Sequence, residues 1–342
     1  MAGIRGGPAT GMKRFTWVDW TLLCALVAMW GTAFTWTKIA VDELAPALVV
    51  GARLVIGAVV LLCVLLLLRR SVGRTRRHWI FYTLIGVFGN AVPFLLISWG
   101  QQAIDSGQAG ILMAVMPLFT LVFAHYLLPD EPLSARRIVG FLLGFAGIVV
   151  LMGPDSLILM TQADSTLLAK LAVLAGAVCY AAAAVLARLR PRDDATGAAA
   201  ATTLAGAALL LPWLPWKSGA ADTVGLASAD AVLAVLMLGV FSTAIAGVVY
   251  FKLIERAGAG FVSQLNYLVP LWAVVIGIIF LGEQPEFMHG MALLLVFCGL
   301  YVAQRPLQCE PRANSRGGLS ITADMRSAPV VAPTGSARGP GD

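Results

Sequence analysis

The chain has 342 residues, of which 59% are hydrophobic and 12% charged, and a formal net charge of +6. Soluble domains run at roughly 45–50% apolar and about 25% charged, so this excess exceeds any core and must face lipid. Five cysteines without a C-x-x-C pair exclude a disulfide framework and give no sign of zinc or redox chemistry.

Apolar runs of roughly 20 residues, the length that crosses a bilayer, predict ten spans. They lie near 17–38, 46–68, 79–99, 107–128, 137–153, 167–189, 196–214, 229–251, 260–281 and 287–304. No small-residue cleavage site follows the first, which therefore reads as a span and not a removed signal. Trp30, Phe34 and Thr37 share one face of it by their i, i+4, i+7 spacing. Trp36 points elsewhere, toward the interfacial belt, and Lys38 at the outer end can lay its stem along lipid with its head in water. Span two carries Arg53 about two turns in, at a depth where a charge costs about 2.5–3.5 kcal/mol on insertion scales. Two readings stand: a counter-charge for an anionic or zwitterionic substrate, or a tie to helix-end carbonyls or to Asp42 or Glu43.

Span three holds Asn90 and closes with Trp99, Gln101 and Gln102, as gate or interface anchor; span four holds Pro117 and, near its inner end, His125. Glu131 follows, at a helix end beside a proline, where a carboxylate caps the next helix. Gly140, Gly144 and Gly147 in span five let helices approach closely. Span six offers Tyr180, an aromatic to set against Trp30 and Phe34 around a cavity; ordinary helix packing explains the same residues. Span seven, Ala-rich and closed early by Pro212 and Pro215, is the least hydrophobic. In span nine Gln264, Asn266 and Tyr267 precede Pro270, which loosens the backbone ladder, and the amides either bridge helices or bind substrate. Glu283 ends that span as Glu131 ends the fourth, and Gly299 lies in span ten. Residues 305–342, rich in Pro, Gly, Ser, Ala and Arg, read as a disordered tail.

Basic residues follow spans two, four, six and eight, whereas the alternate loops are acidic or nearly free of base. Positive residues mark the cytoplasmic side, so both termini are expected inside. The basic charge thus reads as membrane topology, not nucleic-acid binding. Pro117 to Gly147 returns as Pro270 to Gly299: with a one-residue slip, Glu131 falls on Glu283, Gly140 on Ala292 and Gly147 on Gly299. Five spans per copy force the two halves into opposite orientations, the inverted-repeat architecture that supports alternating access.

Trp30-Gly31-Thr32-Ala33-Phe34, then Lys38, Pro46 and Arg53, then the two proline–glutamate–glycine series, resemble the ten-helix EamA branch of the drug/metabolite transporter superfamily. The likeness covers roughly residues 17–304. In the second copy Tyr180 stands for the tryptophan and Arg188 for Lys38, while Ala181, Ala184 and Thr203 replace Gly31, Phe34 and Arg53. The resemblance implies an all-α integral membrane fold of two inverted five-helix repeats. The expected layout is a cytoplasmic segment 1–16, repeats at 17–153 and 167–304, an external linker 154–166 and a cytoplasmic tail 305–342.

All eighteen acidic residues sit at span ends, in loops or in tails. Small multidrug pumps of this superfamily use a membrane-embedded glutamate; none lies at mid-depth here, which disfavours proton-coupled efflux of lipophilic cations. The leading expectation is an inner-membrane carrier that exports small metabolites such as amino acids by rocking spans 1–5 against 6–10. Efflux of amphipathic or aromatic drugs is the second reading. A polytopic membrane enzyme is a third, for which no H-x-x-x-D, H-E-x-x-H or Cys/His constellation is found. No cofactor or metal is expected; the partners are substrate and bilayer, with homo-oligomerisation open.

Overall fold

The structure, a computed structural model, describes residues 15–128, 135–152, 165–191, 193–213 and 227–304. Glu131, most of the predicted linker and the whole C-terminal tail lie outside the described residues. Ten helices make up what is described: α1 (Trp17–Glu43), α2 (Pro46–Leu67), α3 (Arg76–Gly100), α4 (Ser106–Leu127), α5 (Ala135–Met152), α6 (Ser165–Leu189), α7 (Ala195–Leu210), α8 (Ala229–Ala257), α9 (Ala259–Leu281) and α10 (Phe287–Gln304). Seven of them are long and apolar enough to cross a membrane, and α7, the Leu265–Leu281 part of α9, and α10 are shorter apolar helices. Apolar side chains crowd the outside of the bundle, with Leu66, Leu67 and Phe280 each at least 70% exposed, a surface suited only to lipid.

Local chemistry sets the helix ends. Thr16 and Asp19 form a capping box at α1, and Ser228 and Asp194 cap α8 and α7. α1 runs five residues past the predicted end, because Lys38–Asp42 (3.2 Å) and Glu43, which accepts from Ser228 N and Oγ (2.8 and 2.6 Å), stabilise its last turn. Pro46 then opens α2 at a position where a missing N–H costs nothing.

Helix pairing obeys the repeat. α5 lies on α10, α2 on α7 and α4 on α9; α1 lies on α8 and α9, and α6 on α3 and α4. Exchanging each helix for its counterpart five places on maps this set onto itself, as a two-fold axis requires. The glycines fix the axis. A Cβ at Gly140 would lie 2.5 Å from the Gly299 carbonyl, and one at Gly147 would lie 2.8 Å from the Ala292 carbonyl. Since Gly140 matches Ala292 and Gly147 matches Gly299, these contacts are mates, and they exist only if α5 and α10 run antiparallel. The repeats are therefore inverted.

The same pairing departs from the expected division into spans 1–5 and 6–10. One core cluster joins α1, α8 and α9 through Leu23, Leu26, Leu253 and Phe261; another joins α3, α4 and α6, with α5 and α10, through Ile97, Leu112, Val173 and Val296. Each sequence half lends helices to both groups. Apolar burial is non-directional, so a span of one half packs as readily on the other half as on its own.

Candidate functional site

Irregular backbone recurs at symmetric places. α3 holds a π-helical turn at Val87–Ala91 and α8 one at Leu238–Ile245. α4 breaks between Met113 and Met116, and α9 between Val262 and Leu265. Pro117 follows the first break directly, whereas Pro270 sits within the continuous Leu265–Leu281 segment, so the loosened backbone lies at Ser263–Gln264, upstream of it. Non-helical backbone at membrane depth is tolerated where protein or a wet cavity satisfies it, and π-bulges recur at functional sites.

Arg53 reaches from α2 onto the π turn of α8. Its Nε donates to Thr243 Oγ1 at 2.9 Å, and Thr243 in turn donates to the Leu238 carbonyl at 2.8 Å. The guanidinium carbon stands 3.6 Å from the Phe94 ring centroid, and Phe94 meets Tyr180 edge-on at 6.2 Å. Arg53 is only 8% exposed. Among the described residues no carboxylate pairs with it and Nε alone has a hydrogen-bond partner. Asp42 is taken by Lys38 and Glu43 by Ser228, so the tie to either is not formed. Both terminal nitrogens remain for an anion, held over an aromatic face.

The other sequence candidates divide between two places. Phe34, Tyr180 and Tyr267 pack against the α3–α4–α6 core, with Tyr267 5.4 Å from Phe297. Trp30 instead joins the α1–α8–α9 group: its indole N–H donates to the Ser242 carbonyl at 3.1 Å and its ring lies 5.2 Å from Tyr250. Thr37 spends its hydroxyl on the Ala33 carbonyl of its own helix. Asn90 lies in the α3 π turn beside α7, where a Cβ at Gly206 would come within 3.3 Å of it. Gln264 lies in the break of α9 and Asn266 just past it, both half-buried, with no side-chain hydrogen bond to the described residues.

Ser242 and Thr243 were not among the sequence candidates. The signal for them is the repeat itself: the register that puts Pro117 on Pro270 puts Gly89-Asn90 on Ser242-Thr243. By the repeat, the counterparts of Arg53 and Thr243 are Thr203 of α7 and Asn90 of the α3 π turn, which carry no charge.

At one face of the bundle Glu283 accepts from Ser106 N at 2.7 Å and Gly107 N at 2.9 Å. It caps a helix, as expected, but that helix is α4 of the other repeat and not α10, which follows it. Lys38, expected in water, donates to the Gln101 carbonyl at 3.0 Å; Gln101 Nε2 donates to the Phe34 carbonyl at 2.9 Å. Gln108 meets His289 at 2.9 Å, and His289 Nδ1 accepts from Glu286 N at 3.0 Å. A backbone N–H only donates, so neutral His289 carries its proton on Nε2 and the amide oxygen of Gln108 must face it. Burial, then the charge of Glu283, holds the Asp105 carboxyl above the usual carboxylate range, against the pull of Lys38.

A two-repeat helical membrane protein with a buried cation and symmetric helix breaks is a transporter architecture. The model of the EamA-like transporter family matches residues 18–153 and again 167–304, and the chain belongs to that family. It is 26% identical to the uncharacterized transporter YoaV of Bacillus subtilis, over 82% of this chain and 94% of that one. It is 28% identical to a probable terminal-alkyne amino-acid exporter of Streptantibioticus cattleyicolor, over 87% and 97% respectively. A solved crystal structure superposes with a TM-score of 0.57 at 22% identity, covering 84% of this chain and 97% of that one, a likeness of fold alone. The protein is a multi-pass membrane transporter, and the two named relatives carry transporter names.

Proposed function

We propose that the protein exports small carboxylate-bearing metabolites, amino acids or close relatives, across the cell membrane by alternating access. The observation that carries this reading is Arg53: a guanidinium buried at membrane depth, stacked on Phe94, with its terminal nitrogens unmatched by any described carboxylate. A desolvated cation without a counter-charge is costly, and a substrate carboxylate supplies that charge when it binds. The amino-acid exporter name of one relative supports the substrate class. The moving bodies are the groups α1–α8–α9 and α3–α4–α6, since these share cores. Both termini lie in the cytoplasm.

Flux of radiolabelled amino acids from proteoliposomes holding the full chain tests the reading. Arg53→Gln at equal incorporation should raise the apparent KM by tens-fold, since a charge-assisted hydrogen bond contributes about 1.5–3 kcal/mol. Equal flux by the variant ends the carboxylate assignment. The aromatic set of Phe34, Phe94, Tyr180 and Tyr267 favours a second reading, efflux of amphipathic aromatics. Under it, Tyr180→Ala impairs flux while Arg53→Gln does not.

A further inference from the structure

Four hydrogen-bonded links at one face cross between the two helix groups. Lys38 of α1 reaches the Gln101 carbonyl at the end of α3, and Gln101 reaches back to the Phe34 carbonyl of α1. Glu283, at the end of α9, holds the first two amide N–H groups of α4. The links described at the opposite face have another character. Arg256 of α8 binds Asp19 of α1 at 3.0 Å, and Tyr82 of α3 and Arg190 both bind Asp193 just past α6, ties within one group, while Arg70 and Asp194 join the ends of α2 and α7 at 3.2 Å.

The crossing face is closely fitted. A Cβ at Gly110 would lie 2.7 Å from the Ala273 side chain, and one at Gly107 would lie 3.2 Å from Glu283 Oε2. Gly282, at φ 66° in the left-handed region, turns the chain at the end of α9 just before Glu283. Yet closure leaves polar atoms unmet. The buried side-chain atoms without a partner among the described residues are Thr35 Oγ1, Gln101 Oε1 and Ser106 Oγ. Gln101 and Ser106 belong to these links, and Thr35 adjoins the Phe34 carbonyl. Such atoms carry a desolvation cost that exposure to water removes. The contact is held by a few strong links against a standing polar penalty, as a contact that must release requires.

We infer that these links are a gate, shut in this structure, and that Glu283 is the positioning residue that holds it. The inference rests on the transport reading. With the Glu283 carboxylate in place, α4 of one group is clamped to α9 of the other. When it lets go, water takes the Ser106 and Gly107 N–H groups and the groups part at that face.

Ser106 supplies a reporter, because it is fully buried and its hydroxyl makes no hydrogen bond, so Ser106→Cys leaves the clamp's backbone donors in place. The full chain, with its five cysteines changed to serine and Ser106→Cys added, is purified in detergent and labelled with a charged maleimide without substrate. Labelling should be slow. Glu283→Gln turns an N–H donor toward one of the two backbone donors and should speed labelling about tenfold, the effect of roughly one charge-assisted hydrogen bond. Lys38→Met, which removes a different crossing link, should act in the same direction, and Glu283→Asp should fall between wild type and Glu283→Gln. Unchanged labelling in Glu283→Gln and Lys38→Met, with Glu283→Gln merely lowering Tm, overturns the gate and leaves a structural cap. If Glu283→Gln does not fold, Lys38→Met and Glu283→Asp decide. The assay uses no substrate, so it fails or succeeds independently of flux through the Arg53 site.

Discussion

Arg53 has two protein contacts that can be removed singly. Thr243→Val takes away the acceptor of Nε and a donor to the Leu238 carbonyl, leaving the buried Arg53 Nε unmet. We expect a loss of about 1–3 kcal/mol, read as a lower Tm of the detergent-purified protein, together with weaker transport. Arg53→Lys keeps the charge but loses both Nε and the flat face on Phe94. It should insert normally and still raise the apparent KM about tenfold, because an ammonium neither stacks nor binds a carboxylate through two parallel donors. A KM equal to wild type would reduce Arg53 to a point charge. Thr203, the repeat counterpart, should tolerate Thr203→Ala with little change in KM.

Among the elements, α5 and α10 are joined most closely, and glycine permits it. A Cβ at Gly299 would stand 2.5 Å from the Gly140 carbonyl and 2.7 Å from Gly144 N, so any side chain there forces two backbones apart. Gly299→Val should cost at least about 1–3 kcal/mol, seen as reduced membrane yield and a lower Tm. Gly290 lies on the same helix with nothing within 4 Å of an added Cβ. Gly290→Ala should be neutral or stabilising by up to about 1 kcal/mol, the helix-propensity difference. Equal tolerance at the two sites would show that α5 and α10 do not meet as described. The π turns of α3 and α8 belong to this scale too: that in α8 is clipped to α1 by Ser242, whose hydroxyl donates to the Met29 carbonyl at 3.0 Å.

For the whole molecule the governing relation is inversion. It follows that reporters fused after Arg77 and at the C-terminal tail should score as cytoplasmic, and one inserted within 155–165 as external. An external tail would contradict the charge pattern. Cross-repeat grouping makes a second demand. A cysteine pair linking α1 to α8 should leave flux intact, since both helices move together, whereas a pair linking α4 to α9 near Ser106 and Gly277 should stop it. Flux that survives the second cross-link would show that the groups do not part there.

Composition, hydrophobic run length and the charge rhythm of the loops were enough to place ten helices to within a few residues at most ends, because a bilayer imposes one length and one polarity on every span. The internal repeat likewise carried the two-fold relation, down to the Gly140–Ala292 and Gly147–Gly299 register. Arg53 stood out from sequence because charge at depth is rare and needs a reason. Its partners did not: Thr243 and Phe94 come from two other helices, and only folding brings them to one guanidinium, with Tyr180, itself a sequence candidate, set against Phe94. Trp30, Phe34 and Thr37 shared a face by spacing, yet the structure sends Trp30 to α8 and turns Thr37 back on its own helix, since a helix face a hundred degrees wide can touch two neighbours. Glu283 was legible as a cap, but which helix it caps, and hence that it joins the two groups, is a long-range fact. Periodicity along one helix fixes what is buried; only the tertiary arrangement decides against what.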